Sequence, residues 1–216
     1  MAGRASDRLV VGILALQGDV ALHVKCLQEL GLRPVLVRMP EQLKELDGLI
    51  LPGGESTALL KLAEPIGMLD AIKNFARGGG NIFGTCAGAI ILAREVTNPA
   101  QSSLQLIDIT IERNSYGRQL DSSDVTGRSF LPSGPAALPL TFIRAPKISS
   151  VGKPVKVLVE YEGDPVLVRQ DNILAATFHP ELSGSLEVYK YWLGSFTKRS
   201  PAVRAKPASA TSKSTA

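Results

Sequence analysis

The sequence predicts an α/β domain built on a mostly parallel central sheet flanked by helices, with antiparallel strands in its second half. Over the first 95 residues, short apolar runs alternate with helical segments, a pattern typical of parallel strands joined by helices. After Asn98, strand-like segments follow one another with few helices between them, as antiparallel strands do. With 216 residues, of which 44% are hydrophobic, the chain suits one domain with a sizeable core.

The first half of the chain supplies four predicted strands and three helical regions. Each strand is a short apolar run bounded by turn-forming residues. The strands lie at residues 9–16, 34–37, 48–51 and 81–83. Apolar residues at helical spacing predict a helix over 20–30, which Gly31 ends, and a short amphipathic segment lies at 41–45. Further helical sequence runs to residue 76, with an interruption near Pro65, and then covers 86–95.

The second half supplies four more predicted strands and one helix. These strands lie at residues 104–112, 155–162, 165–169 and 173–177. The helix is expected over 187–196, and a segment rich in Ser, Gly and Pro, 121–139, is expected to be loop. The predicted domain therefore covers 9–196, after a short extension at 1–8. The tail at 197–216 consists mainly of Ala, Ser, Lys and Pro, which predicts disorder.

The net charge of +4 comes from the tail. Residues 197–216 contain five basic side chains and no acidic one, so the rest of the chain has a net charge of −1. No nucleic-acid partner is therefore expected, because binding to a phosphate backbone depends on clustered positive charge. No apolar run reaches the roughly 18–20 residues of a membrane span, and residues 1–8 lack an apolar signal core. Since two cysteines also suit a reducing compartment, we expect a cytoplasmic protein.

Cys86 lies in the segment Phe-Gly-Thr-Cys-Ala-Gly-Ala, residues 83–89, between a predicted strand and a predicted helix. The spacing G-x-C-x-G is the sulfur analogue of the nucleophile elbow G-x-S-x-G, in which glycines allow a sharp turn. Such a turn exposes the sulfur at the carboxyl end of the sheet, at a helix N-terminus that favours the thiolate. The N–H of Ala87 would then stabilise an oxyanion. The alternative is a buried cysteine in a glycine-rich turn, and Cys26, within a predicted helix, is interpreted as structural.

His179 and Glu181 are the predicted base and the carboxylate that orients it. Because His179 follows an apolar strand, it lies at the same sheet edge as Cys86 if that strand joins the parallel sheet. Pro180 fixes the backbone between the two, and Glu181 can accept a hydrogen bond from the imidazole. Nucleophilic catalysis requires such a trio. The other histidine, His23, is interpreted as a packing residue. Neither histidine has companions at metal-ligand spacing, so no metal and no other cofactor is expected.

A glycine loop, Leu-Pro-Gly-Gly-Glu-Ser-Thr at residues 51–57, ends another predicted strand at the same edge. Consecutive glycines let backbone N–H groups approach a ligand closely, so Gly53 or Gly54 is the expected second donor of an oxyanion hole. Ser56 or Thr57 could equally cap the helix that follows. The loop does not match the nucleotide-binding pattern G-x-x-x-x-G-K-[ST], so a nucleotide site is not expected.

The sequence resembles the class I glutamine amidotransferases, whose fold is flavodoxin-like. This resemblance rests on Pro-Gly-Gly-Glu-Ser-Thr (52–57), Gly-Thr-Cys-Ala-Gly (84–88) and Phe-His-Pro-Glu-Leu (178–182). Three further segments narrow it to the glutaminase subunits of pyridoxal 5′-phosphate synthase, the PdxT/SNO family. They are Leu-Gln-Gly-Asp-Val (16–20), Glu-Arg-Asn-Ser-Tyr-Gly-Arg-Gln (112–119) and Phe-Ile-Arg-Ala-Pro (142–146). The resemblance extends over about residues 9–196.

The resemblance implies a role for each matching residue. Cys86 would be the nucleophile, His179 the acid and base, and Glu181 its orienter. The residues implied to bind glutamine are Gly54, Glu55, Ser56, Arg113, Ile143 and Arg144. Arginine suits the α-carboxylate of glutamine because its planar guanidinium pairs with carboxylates through two hydrogen bonds. The alternative for each arginine is a solvated surface charge.

The implied reaction is hydrolysis of L-glutamine to L-glutamate and ammonia through a γ-glutamyl thioester. Because ammonia is mostly protonated in neutral water and is then no nucleophile, we expect direct delivery to an acceptor enzyme. The chain has no room for a second catalytic domain, so the acceptor would be a separate subunit. The resemblance identifies this partner as a (β/α)8-barrel synthase, which combines ammonia with a pentose phosphate and a triose phosphate to give pyridoxal 5′-phosphate.

Three other interpretations stay open at this point. The chain could be the glutaminase subunit of another pathway, or a stand-alone cysteine hydrolase that acts on γ-glutamyl or peptide bonds. It could also be a regulatory subunit that binds a partner without catalysis. The presence of Cys86, His179 and Glu181 together argues against the regulatory interpretation.

Overall fold

The computed structural model describes residues 9–113, 123–132 and 134–196. The predicted extension at 1–8 and the predicted tail at 197–216 lie outside these residues. The segment 114–119, which contributed to the family resemblance, also lies outside them. No helix of the described ranges is long and apolar enough to cross a membrane.

The described residues form twelve strands and five α-helices. The strands are β1 (Val11–Leu14), β2 (Val35–Val37), β3 (Gly48–Leu51), β4 (Asn81–Thr85), β5 (Ala93–Thr97), β6 (Ile107–Glu112), β7 (Ser123–Ser129), β8 (Ala137–Phe142), β9 (Lys147–Val151), β10 (Lys156–Tyr161), β11 (Asp164–Gln170) and β12 (Ile173–Ala176). The helices are α1 (Val20–Glu29), α2 (Ser56–Ala63), α3 (Met68–Arg77), α4 (Ala87–Leu92) and α5 (Glu187–Gly194), and a 3-10 helix covers Pro40–Glu45.

Nine strands form the main sheet, in the order β2-β1-β3-β4-β12-β11-β10-β7-β8. Strands β2, β1, β3, β4 and β12 pair in parallel, and the remaining pairs are antiparallel. The predicted α/β fold class, with antiparallel strands in the second half, is confirmed. Because parallel strands share their direction, the carboxyl ends of β1, β3, β4 and β12 meet at one edge of the sheet.

Helices cover both faces of the parallel strands. One buried cluster contains Leu49 of β3 together with apolar residues of α2, α3 and α4. The other contains Ile50 of β3 together with residues of α1 and α5. Neighbouring residues of a strand thus face opposite clusters, as the alternation of side chains along a strand requires. Removing both sets of side chains from water stabilises the helices against the sheet.

Three parts of the chain differ from the sequence-based expectation. The segment 121–139, expected to be loop, contains β7 and the first half of β8. The segment 147–151 was not predicted to be a strand, and it forms β9. The predicted helix at 86–95 ends at Leu92, after which Ala93–Thr97 forms β5, paired in parallel with β6. An apolar run that is buried on all sides does not reveal by its periodicity where a helix gives way to a strand.

Candidate active site

Cys86 lies at the sheet edge between β4 and α4. Its backbone N–H donates a hydrogen bond to the carbonyl of Ala176, at the end of neighbouring β12, over 2.8 Å. The Cys86 backbone has φ +47° and ψ −103°, a conformation that side chains other than glycine rarely adopt. The surrounding turn therefore holds the cysteine in strain, which is the local feature that the spacing G-x-C-x-G predicts.

The two glycines of this turn are required by close packing. A Cβ at Gly84 would lie 2.7 Å from the carbonyl oxygen of Gly88, and a Cβ at Gly88 would lie 2.0 Å from the carbonyl oxygen of Leu51. Both contacts are to backbone atoms that cannot move without distorting β3 or α4. The glycines thus allow α4 to start directly against the sheet and fix the position of Cys86.

His179 and Glu181 lie just beyond the end of β12, the strand next to β4. Nδ1 of His179 lies 2.8 Å from Oε1 of Glu181, and both side chains are buried. The Cys86 side chain faces the His179 imidazole closely enough to raise the pKa of the ring. The structure therefore brings together the three residues that the sequence predicts as nucleophile, base and orienter.

Electrostatics favour a charged His179–Glu181 pair. Burial alone would lower the pKa of His179, but the contacts with Cys86 and Glu181 outweigh it and raise that pKa to about 10. Burial likewise opposes ionisation of Glu181, but His179 and then His23 outweigh it and lower the pKa of Glu181. The site thus holds a proton on the imidazole beside an ionised carboxylate.

The glycine loop (residues 51–57) packs against this pair. A Cβ at Gly53 would lie 2.6 Å from Cε1 of His179, and the Gly53 carbonyl accepts a hydrogen bond from the N–H of Asp19 at 3.3 Å. Gly54 has φ +139°, and a Cβ there would lie 2.5 Å from the side-chain amide of Gln17. The segment before α1 therefore covers the loop. Gln17 and Asp19 have no role predicted from the sequence, since only the family resemblance singled out their segment.

Glu55 caps α2 through both carboxylate oxygens. Oε1 accepts from the N–H of Thr57 at 3.0 Å, and Oε2 accepts from the N–H of Ala58 at 2.6 Å. Desolvation raises the pKa of Glu55, but these backbone hydrogen bonds outweigh it and lower that pKa. The expectation that Ser56 or Thr57 caps the helix is wrong, because Glu55 precedes both and its longer side chain reaches the free N–H groups.

Arg113 reaches the glycine loop from the end of β6. Its Nη2 donates to Oγ1 of Thr57 at 3.2 Å and lies 3.4 Å from Oε1 of Glu55. Only 18% of its side chain is exposed, so Arg113 is not a fully solvated surface charge. From the loop after β5, Oε1 of Gln101 accepts hydrogen bonds from the hydroxyls of Ser56 and Thr57, at 2.9 and 3.2 Å. Nothing in the sequence singled out Gln101, which lies more than 40 residues from its partners.

Ile143 and Arg144 follow β8. The carbonyl of Thr141, two residues before Ile143, accepts a hydrogen bond from the backbone N–H of His179 at 2.8 Å. This bond places the start of the segment beside the base. Arg144 is exposed and has φ +41°. Its contact with substrate stays a prediction, as do the contacts of Gly54, Glu55 and Ser56.

Asp19, His179 and Glu181 form a set whose ligand atoms all lie within 4.8 Å of one another, a spacing that a metal ion could use. Asp19 Oδ2 is 3.9 Å from His179 Nδ1. That nitrogen, however, is already hydrogen-bonded to Glu181, so a metal bound there would have to break the pair. The expectation of no metal stays a prediction.

His23 is buried, as a packing residue is, but its ring lies beside the predicted triad. Nδ1 of His23 is 2.6 Å from the hydroxyl oxygen of Tyr189, and Nε2 is 3.7 Å from Oε1 of Glu181. This contact is not predictable from the sequence. Because His23 and Tyr189 are 166 residues apart, no local spacing indicates their pairing.

The chain is similar to known glutamine amidotransferases. A family model described as the SNO glutamine amidotransferase family matches residues 13–198. The pyridoxal 5′-phosphate synthase subunit PdxT of Solibacter usitatus is 49% identical over 187 residues, which cover 85% of this chain and 97% of the relative. The PdxT of Thermotoga maritima is 45% identical over 183 residues, which cover 85% of this chain and 97% of the relative.

Solved structures give a similar result. One described as a glutamine amidotransferase is 42% identical, with a TM-score of 0.80, and the match covers 86% of this chain and 97% of the other. The structure of PurLQS from Thermotoga maritima has a TM-score of 0.66 at 18% identity, over 86% of this chain and 97% of the other. At that identity the second match shows the fold alone.

Proposed function

The chain belongs to the SNO glutamine amidotransferase family, and we propose that it is the glutaminase subunit of a pyridoxal 5′-phosphate synthase. The observation that carries the proposal is the buried His179–Glu181 pair, which faces a cysteine in a strained strand–helix turn. This arrangement suits attack by sulfur on an amide carbon. The relatives named as synthase subunits support the pathway.

In the first half of the proposed reaction, the Cys86 thiolate attacks the side-chain amide carbon of glutamine. The carbonyl oxygen becomes an oxyanion, which accepts hydrogen bonds from the N–H of Ala87 and from Gly53 or Gly54. Protonated His179 then gives its proton to the amide nitrogen as the carbon–nitrogen bond breaks. Ammonia leaves, and the γ-glutamyl group stays on sulfur as a thioester.

In the second half, His179 removes a proton from water, and the resulting hydroxide attacks the thioester carbon. The tetrahedral intermediate collapses to glutamate and releases the Cys86 thiolate, while His179 keeps the proton for the next cycle. Glu181 stabilises the imidazolium throughout and holds its orientation. Both halves of the reaction thus depend on the hydrogen bond between His179 and Glu181 that is present in the structure.

Substrate recognition uses the glycine loop and the two arginines. Gly54, Glu55 and Ser56 contact glutamine, while Arg113 and Arg144 with Ile143 bind its amino-acid end. The position of Arg113 against Thr57 supports this role, because it places a cation within the loop. The α-carboxylate of glutamine supplies the matching negative charge.

The proposed partner is a (β/α)8-barrel subunit that accepts ammonia. The word subunit in the names of the relatives supports a complex. A glutaminase that feeds a synthase gains nothing by hydrolysing glutamine alone, so its activity is expected to rise when the partner docks. No membrane or nucleic-acid partner is proposed.

The test is to measure glutamate release by the full chain with and without its cognate synthase subunit, and by Cys86→Ala. We expect release that increases on addition of the synthase and is absent in Cys86→Ala. Delivery is tested with glutamine labelled with ¹⁵N at the amide, in excess unlabelled ammonium. Label should then appear in the pyridoxal phosphate. Activity retained in Cys86→Ala would refute the catalytic role, and faster cleavage of γ-glutamyl peptides with no response to the synthase would support a stand-alone hydrolase.

A further inference from the structure

A buried chain of polar side chains lies behind the catalytic pair. It runs from the hydroxyl of Tyr189 on α5 to Nδ1 of His23 on α1, and from Nε2 of His23 towards Oε1 of Glu181. His23 and Tyr189 are both fully buried. Burying two polar side chains costs free energy unless they are paired with one another and with the groups they face. Simple packing would be better served by apolar residues.

The protonation of the two residues follows from their surroundings. Burial lowers the pKa of His23 more than the carboxylate of Glu181 raises it, so the ring is neutral and carries one proton. Burial also raises the pKa of Tyr189, so its hydroxyl keeps a hydrogen to donate. If that hydroxyl donates to Nδ1, the ring proton lies on Nε2 and faces Glu181. The opposite tautomer would point the lone pair of Nε2 at a carboxylate only 3.7 Å away, which is electrostatically unfavourable.

We infer that His23, fixed in this tautomer by Tyr189, is a positioning residue that keeps the Glu181 carboxylate ionised and directed at His179. The inference rests on the proposed function, in which Glu181 stabilises protonated His179. At 3.7 Å the contact is longer than a hydrogen bond and acts through charge–dipole attraction. Thr85 Oγ1 lies 3.3 Å from the same Nε2 atom, so in this tautomer the Nε2–H is shared between the threonine hydroxyl and the carboxylate.

The surroundings of Glu181 explain why it needs this partner. His23 and His179 both approach Oε1, whereas Oε2 is buried without a hydrogen-bond partner among the described residues. The other titratable groups that face this cluster are Asp19 and Cys86, which lie beside His179, and Cys26, whose thiol is beside Tyr189. Burial raises the pKa of Cys26, so it adds no charge near neutral pH. The dipole of His23 is therefore a main support for the buried carboxylate besides His179.

The test compares variants of the full chain in complex with the synthase subunit. His23→Leu removes the donor, and His23→Gln restores an N–H near the position of Nε2. Tyr189→Phe removes only the hydroxyl that fixes the tautomer. Tyr191→Phe is the matched control, since it removes a hydroxyl from the same helix that instead accepts a hydrogen bond from Arg169.

We expect His23→Leu to lower kcat roughly tenfold, because loss of the N–H dipole weakens the support of the buried carboxylate and so its interaction with protonated His179, with little change in KM. Without the donor, Glu181 takes up a proton more readily, so the acid limb of the pH profile of kcat/KM moves to higher pH. His23→Gln should recover most of both effects, and Tyr189→Phe should show a smaller change in the same direction. Because Tyr189 acts through the His23 ring, the double variant Tyr189→Phe/His23→Leu should have the same kcat as His23→Leu alone.

If His23→Leu is folded and the acid limb of its pH profile is unchanged, the inference is overturned. The inference is also overturned if His23→Gln lowers kcat as much as His23→Leu does. If His23→Leu does not fold, Tyr189→Phe decides, and an acid limb identical to that of Tyr191→Phe overturns the inference. Cys86→Ala, measured in parallel, separates this result from the proposed function. An inactive Cys86→Ala beside an unaffected His23→Leu refutes only the role of His23, whereas an active Cys86→Ala refutes the function itself.

Discussion

Gly53 lies directly against the imidazole of His179, so close that a Cβ on Gly53 would be 2.6 Å from Cε1 and 3.1 Å from Nδ1 of the ring. The ring cannot turn away freely, because its Nδ1 is held by Glu181 at 2.8 Å. The glycine loop and the base therefore fix each other. A loop that supplies oxyanion donors must hold its position relative to the base, and this contact provides that constraint.

Gly53→Ala should consequently reduce kcat for glutamine hydrolysis by roughly 100-fold, since a misplacement of about 1 Å costs that much. Either the ring or the loop must shift to admit the methyl group. Steady-state glutamate release checks this, with thermal unfolding to confirm the fold. Gly194→Ala is the control, because a Cβ at that position on α5 meets nothing within 4 Å. Equal rates for the two variants would show that the contact does not constrain the site.

Glu181→Gln should lower kcat by roughly 100- to 10,000-fold, the range seen when a base loses its orienting carboxylate. The amide is nearly the same size but carries no charge, so it no longer stabilises protonated His179. Single-turnover formation of the thioester measures the effect directly. Glu187→Gln serves as the comparison, because its carboxylate pairs with Lys190 on the surface of α5 at 2.7 Å. If Glu181→Gln keeps a third or more of the wild-type rate, Glu181 does not orient the base.

The sequence allowed the triad to be predicted because its signals are local. Glycines two residues before and after Cys86 indicate the turn, and the two-residue spacing of His179 and Glu181 indicates their pair. Alternation of apolar strands and helices then places both at one sheet edge. By contrast, the contacts of His23 with Tyr189 and of Ser56 with Gln101 join distant parts of the chain. No local spacing of residues in the sequence predicts such contacts.

The strands that were missed have a different physical explanation. In β8, Leu138, Leu140 and Phe142 alternate with less buried residues, which is a strand pattern, but Pro139 interrupts it and suggests a loop. A proline is tolerated because β8 is the last strand of the main sheet, where one side of the backbone needs no partner. Strand β7 is rich in polar residues and is held by β8 and β10 on its two sides. The position of a strand at the edge of a sheet and the identity of its neighbours depend on the tertiary structure, so they cannot be predicted from the sequence of the segment alone.

The stability of the protein should depend on pH through His179. Its pKa is raised from 6.5 to about 10, so the protonated ring stabilises the folded state fully below pH 6.5, and this contribution is lost as the pH rises towards 10. His179→Gln has no such proton to lose. Urea unfolding at pH 7 and pH 10 should show that the difference in unfolding free energy between wild type and His179→Gln narrows at pH 10. A difference that stays constant would show that the pKa of His179 is not raised.

Arg113→Ala should raise the KM for glutamine roughly tenfold, because a charge-assisted hydrogen bond to the α-carboxylate is lost. Arg113→Lys should recover only part of the affinity, since lysine lacks the planar pair of donors. The control is Arg94→Ala, which removes an arginine of β5 that pairs with Asp108 on neighbouring β6.

A second substrate distinguishes two possible roles of Arg113, which are binding of glutamine and support of the glycine loop. Arg113 also contacts Thr57 and Glu55, so Arg113→Ala could act by loosening the glycine loop rather than by losing a bond to glutamine. With 4-aminobutanamide, which has the reacting amide but no α-carboxylate, a binding role requires equal kcat/KM for wild type and Arg113→Ala. A loss of the same size on both substrates would instead assign Arg113 to holding the loop. The Arg113–Glu55 contact is 3.4 Å long and Glu55 is largely exposed, so this contact contributes little to stability. We therefore expect Arg113→Ala to lower kcat/KM for glutamine and to leave kcat/KM for 4-aminobutanamide unchanged.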